Sequence, residues 1–373
     1  MLIKNIVQRI DVTEPFLPPL EEYVEYLAGI WERNWLTNQG PLVKEFERKL
    51  QDYHGLSTSV HCVANGALGL QIALKALGVK GEVITTPFSY VATTSCPLWE
   101  GCHVKFADIE PDYLTLDPKA VEAAISPKTE AIIGTHVFGN PCDCEALESI
   151  AKRHGLALIF DAAHAFGVRY KGKSILEYGD ASMVSLHATK LMHAVEGGFV
   201  VAKDPAVSSK VEWMRRFGHN GHEAFHGAGI NAKMSEFHAA MGLCVLRHIS
   251  RLLSRRSDIL NVYRNNLSGY GTHCRMLDIR KETVPNHAYA PVMWQREQLC
   301  VDAQSVLLEN SIIPRRYFYP LLDCLGEAHP EKYPTAIDAS NRIMCLPLYD
   351  SLKVEQVEDV CLIIGQEAKG KTL

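Results

Sequence analysis

The chain is 373 residues long, 47% hydrophobic and 22% charged, with 38 Lys+Arg against 43 Asp+Glu for a net charge of −5. At about 100–200 residues per domain that length implies two or three domains, and the composition excludes a disordered or collagen-like chain. A mildly acidic chain without a long basic run is a poor binder of nucleic acid or of an anionic membrane. The eleven cysteines, scattered from Cys62 to Cys361, are odd in number and read as free thiols in a reducing cytosol rather than as a disulfide framework. No stretch approaches the ~20 apolar residues of a membrane span, and the apolar run at the N-terminus is too short for a signal peptide. A soluble cytoplasmic protein is expected.

In chain order, a short N-terminal arm leads into FLPPLEEYVEYLAGIWERNWLTNQGP, a helix closed by a turn-rich NQGP. From about residue 40 to 245 short apolar runs alternate with helix-length ones. STSVHCVAN reads as a strand; GALGLQIALKALGV then places Leu70, Leu74 and Leu77 on one helical face, with Gly78 as the stop. GEVITT, CHVKFADI, EAIIGTHVF, LALIFDA and FVVAK read as further strands, and VATTSCPLWEG, KAVEAAI and CEALESIAKRHG as helices between them. This alternation predicts an α/β fold, βαβ units building a mostly parallel sheet with helices on both faces. Past residue 245 the texture changes to a long helix (HISRLLSRRSDILNVYRNNL), a strand (HAYAPVMW), a helix (QREQLCVDAQSVLLEN), the segment PRRYFYPLL and a last helix, a smaller α+β C-terminal domain. The expected division is an arm over 1–14, a large domain over 15–245 and a small domain over 246–373.

Ligands of open α/β sheets sit beyond the carboxyl ends of the strands. Standing there are Asn65-Gly66-Ala67 at a helix start, Tyr90, His136, Asp161 with His164, and Ser185 to Lys190 ahead of Glu196-Gly197-Gly198. The Asn-Gly-Ala turn is either an ordinary N-cap or an anion site built from free N–H groups and the helix dipole. Asp161, directly after an apolar run, is either a helix cap or a carboxylate facing a cleft. Lys190 is either a surface lysine or a desolvated amine nucleophile. Taken together, a phosphate cradle, an amine, a carboxylate for a pyridinium nitrogen and a stacking aromatic are the parts of a pyridoxal phosphate site.

Three other motifs compete. Gly167 to Ser174 fits G-x-x-x-x-G-K-[ST], the pattern of a nucleotide-sensing P-loop module, but SILEYGD cannot supply the helix a P-loop needs, and a hairpin around Lys171-Gly172-Lys173 is expected instead. His219, His222 and His226 suggest zinc but lack a fourth ligand nearby, so no metal is expected. Cys142-x-Cys144 is neither a redox pair nor a zinc knuckle. No G-x-G-x-x-G follows a strand, against a dinucleotide cofactor.

The stretches WLTNQGPLVKEFERKL, VANGALGLQIALKALG, VITTPFSYVATTS, HVFGNPCD, FDAAHAFGV, GDASMVSLHATK, EGGFVV, GINAKMSEFHAAMGL, RRYFYPL and MCLPLYD run from Trp35 to Asp350. In them the chain resembles the DegT/DnrJ/EryC1/StrS sugar-nucleotide aminotransferases, pyridoxal phosphate enzymes of aspartate-aminotransferase-like fold type I. The resemblance implies that Lys190 carries the cofactor as a Schiff base and Asp161 pairs with its pyridine nitrogen. His164 takes the ring-side position, Tyr90 stacks on the ring, and Gly66, Ala67 and Ser185 cradle the phosphate. Asn231 matches an asparagine that reaches the phosphate from a neighbouring subunit, implying a homodimer with shared sites. Many members read Asn-Gly-Thr where this chain has Asn65-Gly66-Ala67, so backbone N–H groups must replace the lost hydroxyl. His187, Tyr317 and Tyr319 are candidates near the sugar nucleotide.

Within the family, WLTNQGP, GEVITTPFSYVAT, GNPCD and DAAHAFGV look most like the branch that moves an amino group from L-glutamate to C4 of dTDP-4-dehydro-6-deoxy-D-glucose. The product is dTDP-4-amino-4,6-dideoxy-D-glucose, for O-antigen or other surface polysaccharide. A C3 aminotransferase acting on a 3-keto sugar is the alternative. A sugar 3-dehydratase on the same scaffold would carry His at position 190, and a non-catalytic nucleotide-binding protein would use Lys173.

Overall fold

The computed structural model describes residues 9–270, 273–326 and 329–370. Of the arm expected over 1–14, residues 1–8 therefore lie outside the described residues. The remainder forms β1 (Ile10–Asp11), followed by α1 (Leu20–Arg33) and α2 (Pro41–His54). The alternation is then β2 (Val60–Val63), α3 (Gly66–Leu77), β3 (Glu82–Thr85), α4 (Ala92–Trp99), β4 (His103–Phe106), α5 (Pro118–Ala124), β5 (Thr129–Thr135), α6 (Cys144–His154) and β6 (Ala157–Asp161). Next come the hairpin β7 (Arg169–Tyr170) and β8 (Lys173–Ser174), then β9 (Ala181–Ser185), β10 (Gly198–Ala202), α7 (Pro205–Met214), a second hairpin of β11 (His219–Asn220) and β12 (Ala224–Phe225), α8 (Glu236–Arg247) and α9 (Ile249–Leu267). The last third holds β13 (Cys274–Met276), β14 (Thr283–Val284), β15 (Ala290–Trp294), α10 (Glu297–Glu309), β16 (Ile312–Ile313), α11 (Pro334–Arg342), β17 (Ile343–Leu346) and α12 (Val354–Gly370).

The large sheet has the order β2-β10-β9-β6-β5-β3-β4. Its neighbours are parallel except β10, which runs antiparallel to both β2 and β9. Alternate residues of each strand enter opposite layers, as a pleated strand requires. On β6, Leu158 and Phe160 join the core under α2, α6 and α8, while Ile159 joins the core under α3 and α7. Phe199 and Val201 of β10 face the first layer, Val200 and Ala202 the second. The sheet is thus covered on both faces, as the alternation predicts.

The helix that matters most for the site is α3. Asn65 caps it by accepting from the Leu68 N–H (2.9 Å), and Gly78 closes it at φ 80°. A Cβ at Gly69 would stand 3.0 Å from Met183 Cγ on β9, so glycine lets α3 lie close to the sheet. That packing delivers the N-terminus of α3 to the edge where β5, β6 and β9 end.

A three-stranded antiparallel sheet, β13-β15-β17, carries the last third of the chain. Its core includes Trp294, Leu307, Val357 and Ile364, and β1 joins it by pairing parallel with β16, Ile10 opposite Ile312. Helix α9 serves both cores: Ile249 and Leu252 pack with the large one, Ile259, Leu260 and Tyr263 with the small one. A further cluster, with Phe88, Phe138, Met293, Phe318 and Tyr333, seats the small sheet against the large one. No helix among the described residues is long and apolar enough to cross a membrane.

Candidate active site

A cavity of about 540 Å³ opens over the carboxyl ends of β6 and β9. Gly66, Ala67, Tyr90, Asp161, His164, Ser185, His187, Lys190 and Tyr317 all line it, so nearly all of the expected residues converge.

Asp161 ends β6 and is 3% exposed. Its Oδ2 accepts from the Thr93 hydroxyl (2.6 Å) and its Oδ1 from the Ala163 N–H (3.1 Å). Thr93 is itself held by Ser89 (2.7 Å), which contacts Thr135 (3.2 Å), so a chain of hydroxyls fixes the carboxylate. Burial pushes the Asp161 carboxyl above its ordinary range, while Thr93, the Ala163 N–H and Lys190 pull the other way. Such a group is well disposed toward a cation brought to its face.

Lys190 lies in the loop after β9, and its Nζ donates to the Tyr289 hydroxyl at 3.1 Å. Burial lowers its pKa, opposed by Asp161, Tyr317 and Tyr90. A lysine with a depressed pKa keeps more of its amine neutral and nucleophilic. His164 is neutral: burial, and then Lys190, hold it well below the ordinary imidazole value. Its Nδ1 accepts from the Phe138 N–H (3.2 Å), which assigns the ring proton to Nε2. Phe318 stacks parallel to it at 5.9 Å, with 11° between the planes.

Gly66 and Ala67 form the first turn of α3, whose N–H groups have no intrahelical acceptor. The Asn65 side chain occupies only the Leu68 N–H. A Cβ at Gly66 would meet Met183 Sδ at 2.9 Å and Ser185 Cβ at 3.3 Å, so the turn presses against Ser185. Two amides, a hydroxyl and a helix N-terminus form an anion cradle. Tyr90, 59% exposed, stands at the open side. His187 is exposed too, with Nδ1 near the Thr189 hydroxyl (2.9 Å) and Nε2 near Glu196 (3.5 Å).

Two expected residues stand apart. Tyr319 is not in the lining: its N–H bonds to the Arg316 carbonyl (3.1 Å), closing a turn that sets its ring over the Arg316 guanidinium at 3.8 Å. Asn231 lies outside the cavity of its own chain, exposed beside Lys233. Four residues went unforeseen: Thr93, Tyr289, Arg315 and Phe318. Thr93 sits inside a helix, Tyr289 just ahead of β15, and Arg315 in a segment read for its tyrosines; none carries a local signal.

The competing motifs resolve structurally. Lys171 (φ 48°) and Gly172 (φ 81°) form the turn of the β7–β8 hairpin, and a three-residue helical turn, Ile175–Glu177, follows. Lys173 rests over the Tyr178 ring at 3.8 Å, with no helix start to bind phosphate. His226 stacks on Trp213 and His219 packs on Phe225. Among the described residues no group of three metal-binding side chains exists.

The residues fit pyridoxal phosphate. The amide cradle suits a phosphate, the buried Asp161 carboxyl suits a pyridinium nitrogen, and the desolvated Lys190 amine suits an aldehyde. Comparison with known proteins agrees. The model of the DegT/DnrJ/EryC1/StrS aminotransferase family matches residues 20–364. A dTDP-4-amino-4,6-dideoxy-D-glucose transaminase of Shigella dysenteriae is 38% identical, covering 96% of this chain and 98% of the relative. An Escherichia coli protein of the same name is 36% identical with the same coverage, 96% and 98%. The crystal structure of DesI in the presence of its TDP-sugar product superposes with a TM-score of 0.92 at 31% identity, over 98% of this chain and 95% of that one. The chain is a pyridoxal phosphate enzyme of fold type I and belongs to the DegT/DnrJ/EryC1/StrS aminotransferase family.

Proposed function

We propose that the protein moves the amino group of L-glutamate to C4 of dTDP-4-dehydro-6-deoxy-D-glucose. The products are 2-oxoglutarate and dTDP-4-amino-4,6-dideoxy-D-glucose. The observation that carries this reading is the convergence of a desolvated lysine amine and a buried carboxylate on one cavity, in a chain whose full-length relatives bear that transaminase name.

Pyridoxal phosphate supplies an electron sink for the pair left on carbon when a C–H bond breaks. The amides of Gly66 and Ala67 and the Ser185 hydroxyl would bind its phosphate. Asp161, aimed by Thr93 and Ala163, would hold a proton on the ring nitrogen. Lys190 would hold the cofactor and, once freed by the incoming amine, carry a proton between the donor Cα and the cofactor C4′ as general base and acid. Neutral His164, wedged against Phe318, fixes one side of the ring site without adding charge. Arg315 lines the cavity, exposed and without a carboxylate partner among the described residues, and supplies a cation for anionic substrates.

Two copies of the chain would complete each other's sites. Asn231 is exposed and does not line its own cavity, and the same stretch of chain leaves Phe217, Phe225 and Ile230 exposed. Leu20, Val24 and Trp31 leave a second apolar stripe exposed on α1. The buried free thiols support a cytoplasmic site of action.

The acceptor is tested by offering dTDP-4-dehydro-6-deoxy-D-glucose and its 3-keto isomer with L-glutamate. Amination of the 4-keto sugar, with formation of 2-oxoglutarate, is the expected result. Turnover of the 3-keto sugar alone would refute the C4 assignment.

A further inference from the structure

We propose that Tyr289 is a catalytic residue: its hydroxyl receives the ε-amine of Lys190 whenever that amine is free of the cofactor, and so fixes the position and protonation of the group that moves the proton. The proposal rests on the reading of the site as a pyridoxal phosphate transaminase and extends it to a residue far away in sequence.

The contact is direct, with Lys190 Nζ donating to the Tyr289 oxygen at 3.1 Å. Among the described residues Lys190 is the one hydrogen-bond partner of that hydroxyl. The ring cannot swing away. It packs against His164 (4.6 Å between centroids), Phe138 (5.7 Å) and Tyr317 (5.9 Å). The backbone before it is pinned as well, because buried Arg256 donates to the Ala288 carbonyl at 3.1 Å. Tyr289 is therefore a fixed acceptor at the wall of the cavity it shares with Lys190.

The chemistry needs such an acceptor. When the amine takes a proton from substrate carbon it becomes an ammonium beside a largely buried wall of the cavity, and a charge there without a hydrogen-bond acceptor is costly. Asp161 already accepts from Thr93 and Ala163. The groups facing Lys190 are Asp161, Tyr317, Tyr90, neutral His164 and Tyr289. Of these, Tyr289 holds its hydrogen bond. The phenol keeps its own proton throughout, since burial raises its pKa. The proton gained from one carbon stays on Nζ until it is delivered to the other.

The test uses Tyr289→Phe, which keeps the ring and removes one oxygen. In cofactor-free protein, the pH dependence of Lys190 acylation by an amine-reactive ester is read on the Lys190 peptide by mass spectrometry. Loss of an acceptor for the ammonium lowers the midpoint by about one pH unit. With cofactor restored, the single-turnover reaction with L-glutamate slows about tenfold at saturation, with the half-saturating glutamate concentration nearly unchanged. Tyr289→His, a ring that retains an acceptor, holds the acylation midpoint nearer the wild type and serves if the Phe variant folds poorly. An acylation midpoint that does not move in Tyr289→Phe overturns the proposal, whatever happens to activity. A shifted midpoint in Tyr289→Phe, together with a wild-type protein that transfers no amino group, upholds the pairing and overturns the transaminase reading instead.

Discussion

Asp161 illustrates how one residue can oppose stability and serve function. Its carboxyl pKa is raised in the folded chain, chiefly by burial. A group raised on folding contributes stability below its unfolded pKa and loses it as pH climbs through the folded value. In cofactor-free protein at neutral pH the burial of Asp161 is therefore a liability. Asp161→Asn should unfold at the wild-type temperature or above it, while transamination falls by about a hundredfold or more for want of the charge that holds the ring proton. Thr93→Val probes the same carboxylate from behind. It removes the 2.6 Å bond to Oδ2, and losing one hydrogen bond to a charged group should slow amino transfer about tenfold or more. Steady-state rates and thermal melts of both variants check these expectations.

At the scale of elements, the close approach of α3 to β9 sets the phosphate cradle. A Cβ at Gly69 would lie 3.0 Å from Met183, 3.1 Å from Val200 and 3.3 Å from Val63, all side chains of the buried sheet. Gly69→Ala should cost about 1–3 kcal/mol and loosen the cofactor, seen as a lower melting temperature together with a weaker Kd for pyridoxal phosphate. This element was legible in advance because the cap Asn65, the stop Gly78 and the leucines between them are local signals. Asp161 and Lys190 drew attention as charged residues beyond strand ends, but the residues alone also allowed a helix cap and a surface lysine, and the roles proposed for them come from the family resemblance. Thr93, Tyr289 and Arg315 gave no such signal. Thr93 reaches Asp161 from a helix, while Tyr289 and Arg315 reach the cavity from the lead-in to β15 and from the segment before Tyr317, and only packing brings those together. Tyr319 shows the converse, since its residue type suited the site but a local turn carries it outward.

At the scale of the whole molecule, two buried histidines tie stability to acidity. His54 and His136 are both held down to about 3, His54 by burial and Arg169, His136 by burial and Arg280. A depressed group gives stability above its unfolded pKa, near 6.5, and loses it as pH falls toward the folded value. Unfolding free energy should therefore drop between pH 6.5 and about 3, by roughly 1.4 kcal/mol per pH unit for each histidine. Denaturant titrations across that range check the slope. Assembly is tested by mixing inactive Lys190→Ala and Asn231→Ala subunits. If Asn231 completes the partner's site, hybrids regain one intact site each, and activity returns to about a quarter of wild type; sites complete within one chain would stay inactive.

The central claim is that Lys190 binds pyridoxal phosphate in the cavity it shares with Asp161. Its most direct test is borohydride treatment of the purified protein incubated with pyridoxal phosphate, followed by peptide mapping. The account predicts a yellow protein that borohydride bleaches, with the cofactor fixed covalently to the peptide bearing Lys190. A colourless protein, or a label on another lysine, would contradict it.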